Sequence, residues 1–253
     1  MITLLLAAAT AAAVPAAGPV GPPLSGNEDA DYAACVHYAQ TGGDAAVEWA
    51  QAWRARGGGI AARQCIGIAY MALDRPAPAA LTFEQAARAA EAERDDRVAD
   101  LWAQAGNAYL VAGDNRKALT ALDAAANHGG GSDQWKGEVY IDRARVNVAM
   151  DDVQAARTDL DKALELVPGD PMAWLLSATL ARRMNDVDRA AKDIAQAERR
   201  APDSAEVAVE AGNIAATAGD IDKARAKWGE AVKLAPASTA GKAAAAAIAA
   251  NSP

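Results

Sequence analysis

Apolar residues recur along the second half of the chain at helical spacing, and the same arrangement returns four times. In each copy one Ala is followed four residues later by a larger apolar residue and seven residues later by a second Ala. This spacing places all three on one face of a helix and is typical of a buried stripe. The stripes are Ala118, Leu122 and Ala125; Ala156, Leu160 and Ala163; Ala190, Ile194 and Ala197; and Ala224, Trp228 and Ala231.

A second helix with its own small residue precedes each stripe. Four successive blocks, starting at Ala99, Gly137, Pro171 and Ala205, fall into register, and the last two offsets are 34 residues each. Residues 133–136 are a four-residue insertion between the first and second blocks. The small residues are Gly106, Ala144, Ala178 and Gly212, and they predict a close approach of the two helices of each block.

Turn and stop signals separate these helices. A residue that tolerates a left-handed backbone is followed by a capping Asp between the two helices of each block. These pairs are Gly113-Asp114, Asp151-Asp152, Asn185-Asp186 and Gly219-Asp220. Pro168, Pro202 and Pro236 then predict the end of the second helix, and a run of Gly at 129–131 takes that part in the first block. Each block is therefore predicted to be a helical hairpin.

These residues resemble the tetratricopeptide repeat, in which Trp, Gly, Tyr, Ala, a large residue and Ala recur in a 34-residue unit. The best match consists of Trp102, Gly106, Tyr109, Ala118, Leu122 and Ala125. The resemblance implies an all-α fold, a right-handed α-solenoid of helix-turn-helix repeats. It covers 99–238 as four repeats, at 99–132, 137–170, 171–204 and 205–238.

The flanking segments follow the pattern less closely. Residues 29–98 are predicted to form two degenerate hairpins, the second with an extended second helix. Residues 239–253 predict a helix that caps the last hairpin, followed by a short tail. Residues 18–28 are rich in Pro and Gly and predict a flexible linker.

The first 17 residues resemble a signal peptide. A run of Leu and Ala leads to small residues suited to cleavage after Ala13 or Ala17. This predicts a periplasmic or secreted protein, whereas the lack of a basic residue in the first three positions leaves a cytoplasmic location as the alternative. The rest of the sequence has no apolar run long enough to span a membrane.

The amino-acid composition narrows the range of functions that the sequence allows. Hydrophobic residues make up 52% of the chain and aromatic residues only 5%, which favours helices packed through small side chains. The net charge of −8 and the lack of a basic cluster argue against nucleic-acid binding. Two His and two Cys, without metal-ligand spacing or a catalytic motif, indicate neither a metal, nor a cofactor, nor an enzyme. Cys35 and Cys65 fall on neighbouring first helices, so they are either a disulfide or two separate buried thiols.

In tetratricopeptide proteins the first helix of each hairpin lines a concave groove that holds a partner. By that resemblance the groove candidates are Asp100, Asn107, Leu110, Glu138, Arg145, Val148, Met172, Thr179, Arg182, Glu206 and Asn213. The implied function is a protein- or peptide-binding scaffold. Two alternatives stay open: an ordinary solvated surface at these residues, and a structural subunit of a cell-envelope assembly that uses its convex face or loops.

Overall fold

The computed structural model describes residues 21–129 and 131–251, so the predicted signal peptide lies outside the described residues. Within these ranges the chain forms thirteen helices and no strand. They are α1 Glu28–Thr41, α2 Asp44–Ala55, α3 Gly59–Ala72, α4 Pro76–Glu93, α5 Val98–Val111, α6 Asn115–His128, α7 Asp133–Ala149, α8 Val153–Leu166, α9 Pro171–Arg183, α10 Val187–Arg200, α11 Ala205–Thr217, α12 Ile221–Leu234 and α13 Thr239–Ala250.

Consecutive helices pack against each other along the whole series, which makes the molecule an α-solenoid of six hairpins and a final helix within the described residues. The second hairpin has the extended helix that its sequence predicts, since α4 runs for 18 residues and ends at Arg94 in a left-handed conformation. Residues 133–136 form the first turn of α7. The four-residue insertion is therefore helical rather than a loop.

The turns between hairpin helices have the expected local chemistry. Gly113, Asp151, Asn185 and Gly219 all have positive φ angles, between 61° and 84°. The Asp that follows each of them caps the next helix. Its carboxylate accepts a hydrogen bond from a backbone N–H three residues on, over 3.0–3.3 Å. These caps satisfy a donor that the start of a helix would otherwise leave unpaired.

Small residues let the helices approach closely. The paired Ala residues of all four stripes are fully buried. At Gly106, a Cβ atom would lie 2.6 Å from Cγ of Leu122, so only Gly fits against that side chain. The core therefore runs as a narrow band between the helices, as the Ala pattern predicts.

The chain before α1 corrects one expectation. The sequence predicts a flexible linker over 18–28, but from Gly21 onward the chain is bound to the first hairpin. Nε1 of Trp49 donates a 2.8 Å hydrogen bond to the Pro22 carbonyl. The backbone N–H and the hydroxyl of Ser25 both donate to the Asp31 carboxylate, over 2.6 and 2.8 Å. These bonds hold the pre-helical segment in place because they give partners to Trp49 and Asp31, two buried residues of the hairpin.

A disulfide joins the first and third helices. Cys35 of α1 and Cys65 of α3 are bonded, and their Cα atoms are 6.0 Å apart. Both residues are buried in a cluster that also contains Trp49 and Trp53. The bond therefore ties the first hairpin to the second. Within the described residues, no helix combines the length and apolar character needed to cross a bilayer.

Candidate functional site

The first helices of successive hairpins lie side by side, and we call the contact between two neighbouring first helices a seam. We call the surface formed by α3, α5, α7, α9 and α11 the first-helix face. Nε2 of Gln64 in α3 donates to Oε1 of Gln104 in α5 over 3.2 Å. Nδ2 of Asn107 in α5 donates to Oδ2 of Asp142 in α7 over 2.7 Å. These bonds bridge the first two seams of the face.

The last seam is bridged by an ion pair. Arg182 of α9 donates to both oxygens of the Glu210 carboxylate in α11, over 2.6 and 3.2 Å. In all three bridges the acceptor occupies the sixth position of its block, because Gln104, Asp142 and Glu210 are equivalent in the repeat alignment. The sixth position is therefore where a first helix binds its predecessor.

The remaining seam, between α7 and α9, lacks such a bridge. The sixth residue of the third block is Leu176, which has no polar group to accept a bond. Among the described residues, no side-chain hydrogen bond or ion pair joins α7 to α9. A pocket of about 190 Å³ opens there instead. Its lining is mainly apolar and consists of Ala144, Arg145, Val148, Leu160, Leu176, Thr179, Leu180 and Arg183.

Two arginines are the charged residues of this lining. The Arg145 side chain is 58% exposed, and its nearest acidic atom is an Asp142 oxygen 3.5 Å away. Arg183 is exposed and has no ion-pair partner in the part of the chain that the structure describes. The pocket thus combines an apolar interior with two exposed arginines, one loosely paired and one unpaired within the described residues, in a protein whose net charge is −8.

Asp142 is held next to the pocket by its neighbours. Burial raises the pKa of its carboxyl group, and the bonds from Asn107 and Arg145 partly oppose that rise. Asn107 bonds Oδ2 of Asp142, whereas Nη1 of Arg145 reaches Oδ1 only through a single long contact of 3.5 Å. Arg145 therefore keeps most of its hydrogen-bonding capacity for solvent or a ligand.

The structure divides the predicted groove residues into three groups. Asn107, Arg182 and Asn213 are used internally: Asn213 donates to Glu210 and accepts from Nε1 of Trp228. Three others, Arg145, Val148 and Thr179, lie together around the pocket. The Thr179 hydroxyl donates to the Leu175 carbonyl within its own helix, so its methyl group is available to the pocket.

The other predicted residues lie away from the pocket. Asp100 lines a separate open cleft of about 870 Å³ near the start of α5. Glu138 accepts from Gln134, and Glu206 accepts from the Ser204 hydroxyl. Leu110 packs against the core of its own hairpin and Met172 is exposed.

Sequence reasoning missed Leu176, Leu180 and Arg183. A signal for Leu176 exists, because it is the one apolar residue at a block position that is otherwise polar. The sequence contains no signal for Arg183, because it does not indicate whether Arg182 or Arg183 pairs with Glu210.

The helical hairpins, their stacking and the linked first-helix face define a helical-repeat protein. No protein-family model matches the sequence, and no curated protein matches it. Solved structures do: PilF of Pseudomonas aeruginosa superposes with a TM-score of 0.65 at 19% identity, over 87% of this chain and 97% of that one.

Two tetratricopeptide proteins of known structure also match. TTC0263 of Thermus thermophilus gives a TM-score of 0.59 at 18% identity, over 74% of this chain and 97% of that one. YrrB, a tetratricopeptide protein with an unusual peptide-binding site, gives a TM-score of 0.55 at 19% identity, over 78% of this chain and 95% of that one. The chain has the tetratricopeptide repeat fold.

Proposed function

We propose that this protein is a scaffold that binds a peptide segment of another protein on its first-helix face, the concave side of the solenoid, and performs no chemistry itself. The observation that carries the proposal is the unbridged seam between α7 and α9. There Leu176 replaces a bridging polar residue, and a pocket opens between two arginines. YrrB, which shares the fold, is a peptide-binding protein.

The pocket is large enough to hold one side chain of a bound peptide. An engineered apolar cavity of about 150 Å³ holds a benzene molecule. A volume of about 190 Å³ therefore accommodates one Leu or Phe side chain. Burying such a side chain contributes about 1.5–3 kcal/mol, and the exposed guanidinium groups of Arg145 and Arg183 can donate hydrogen bonds to the peptide. A partner would thus be held at one central anchor with weaker contacts around it.

Selection of random peptides displayed on phage tests the proposal. The targets are the intact chain and a variant with Arg145→Ala, Thr179→Leu and Arg183→Ala, which fills the pocket and removes both charges. We expect peptides that bind the intact chain and lose that binding in the variant. Helicity measured by circular dichroism shows that the variant is folded.

A matched control keeps the test specific to the pocket between α7 and α9. Thr217→Leu and Arg116→Ala introduce the same kinds of change at exposed positions on α11 and α6. Selected peptides should bind this control as they bind the intact chain. Peptides that bind all three proteins equally would transfer the interaction to the convex face or the loops, and the assembly-subunit alternative would replace the scaffold.

We also propose that the protein is exported to an oxidising compartment. The bonded pair Cys35 and Cys65 supports this, because structural disulfides persist mainly in such compartments. The intact mass of the native protein should show loss of about the first 13 to 17 residues. An unprocessed protein with reduced thiols would contradict export.

A further inference from the structure

The pocket between α7 and α9 also indicates the chemistry of the segment that it binds. Its interior is formed by Ala144, Leu160, Leu176 and Leu180, and polar groups are confined to its rim. An interior of this kind favours an aliphatic or aromatic side chain and disfavours a charged one, which would lose its hydration without gaining a partner.

The rim adds a requirement of charge. Arg145 and Arg183 are the charged residues of the lining, and neither is neutralised by a close bidentate carboxylate in the described part of the chain. The adjacent Arg182 shows the contrast, because Glu210 accepts from it over 2.6 and 3.2 Å. A planar guanidinium binds carboxylates through paired N–H donors. The rim therefore matches acidic residues on either side of the anchor.

We propose that the pocket binds a protein segment in which one large apolar side chain is flanked by Asp or Glu. The apolar side chain enters between α7 and α9, and its acidic neighbours pair with Arg145 and Arg183. This inference rests on the proposed scaffold function and names the class of peptide that the scaffold takes.

Peptide titration tests the inference. The probe is a fluorescein-labelled peptide with one Leu between two pairs of Asp, and its binding to the intact chain is followed by fluorescence anisotropy. Replacing the Leu by Ser, or all Asp by Lys, should weaken binding by about tenfold or more, because each change removes one of the two recognised features. Raising the salt concentration should weaken binding of the Asp peptide and leave a version with Asn in place of Asp largely unchanged.

Protein variants locate the binding. Thr179→Leu fills the pocket, and Arg183→Glu reverses one rim charge. Each should weaken binding of the peptide that contains Leu and Asp by about tenfold or more. The matched controls are Thr217→Leu, where the hydroxyl makes the same bond to the carbonyl four residues earlier, and Arg116→Glu. Both controls should bind the peptide as the intact chain does.

Three results would overturn the inference. The first is a Lys-flanked peptide that binds as tightly as the Asp-flanked one. The second is the absence of binding by the Asp-flanked peptide while phage-selected peptides still depend on the first-helix face, which would leave the scaffold function standing. The third is an intact chain that sediments as a dimer and a Thr179→Leu variant that sediments as a monomer, because the pocket would then hold a second copy.

Discussion

Arg182 and Arg183 are adjacent in sequence and have different surroundings. Arg182 donates to both oxygens of Glu210, which is 7% exposed, and so ties α9 to α11. Arg183 points away from that seam and lines the pocket between α7 and α9. One arginine therefore belongs to the scaffold and the other to the proposed site.

This difference predicts unequal effects on stability. Arg182→Ala should lower the free energy of unfolding by about 1–3 kcal/mol, because it leaves the buried Glu210 carboxylate with Asn213 as its remaining side-chain partner. Arg183→Ala should change it by no more than about 0.5 kcal/mol. Urea unfolding of the two variants checks this. Equal losses would show that the Arg182–Glu210 pair does not stabilise the α9–α11 seam.

The Ala stripe predicts a second contrast. Ala190 lies in the middle of the solenoid with no exposed surface, whereas Ala246 is exposed on α13. Ala190→Leu should destabilise the protein by about 1–3 kcal/mol through overpacking. Ala246→Leu should cost no more than about 0.5 kcal/mol. Thermal unfolding followed by circular dichroism compares them, and a similar loss at both sites would contradict the packing of the repeat core.

The disulfide should stabilise the first two hairpins. Cys35 and Cys65 are 30 residues apart, and closing a loop of that size contributes about 3–4 kcal/mol in the chain-entropy model. Replacing both with Ala should lower the urea midpoint. Adding a reductant should lower the midpoint of the intact chain and leave that of the double variant unchanged. Thiols that label readily in unreduced native protein would exclude the bond.

Stability should also depend on pH through Asp95. Its hydrogen bonds from Arg97 lower the pKa of the carboxyl from 3.8 to about 2. Because the folded state has the lower pKa, this stabilisation is complete above about pH 4 and is lost as the pH falls through about 2. Arg97 also pairs with Glu28 at the start of α1, over 3.0 Å.

The test compares Asp95→Asn with the intact chain. Their difference in unfolding free energy should shrink by about 0.5–1 kcal/mol between pH 5 and pH 3, with allowance for solvent screening of the partly exposed Arg97. Asp96→Asn, at the exposed neighbouring position, serves as the control. A difference that stays constant over this range would mean that the Asp95–Arg97 contact is not maintained in solution.

The amino-acid pattern is enough to predict the helical hairpins. The Ala stripe, the left-handed turn residues and the capping Asp residues act within one helix or one turn, so periodicity and local backbone preferences are enough to locate them. The length of α4 was predictable in the same way, because no Pro ends this helix where Pro ends the second helix of the later hairpins. The position of Arg145, Val148 and Thr179 on the first-helix face also follows from the repeat alignment.

Which polar residues are available to a partner depends on how the helices pack. Asn107, Arg182 and Asn213 share the predicted groove positions but are paired with residues of other helices. The docking of residues 21–27 on the first hairpin was likewise not predictable from their Pro and Gly content. Such pairings depend on how far each helix is rotated and shifted against its neighbour. Helical periodicity fixes the face on which a side chain lies, and packing between helices fixes what that side chain meets.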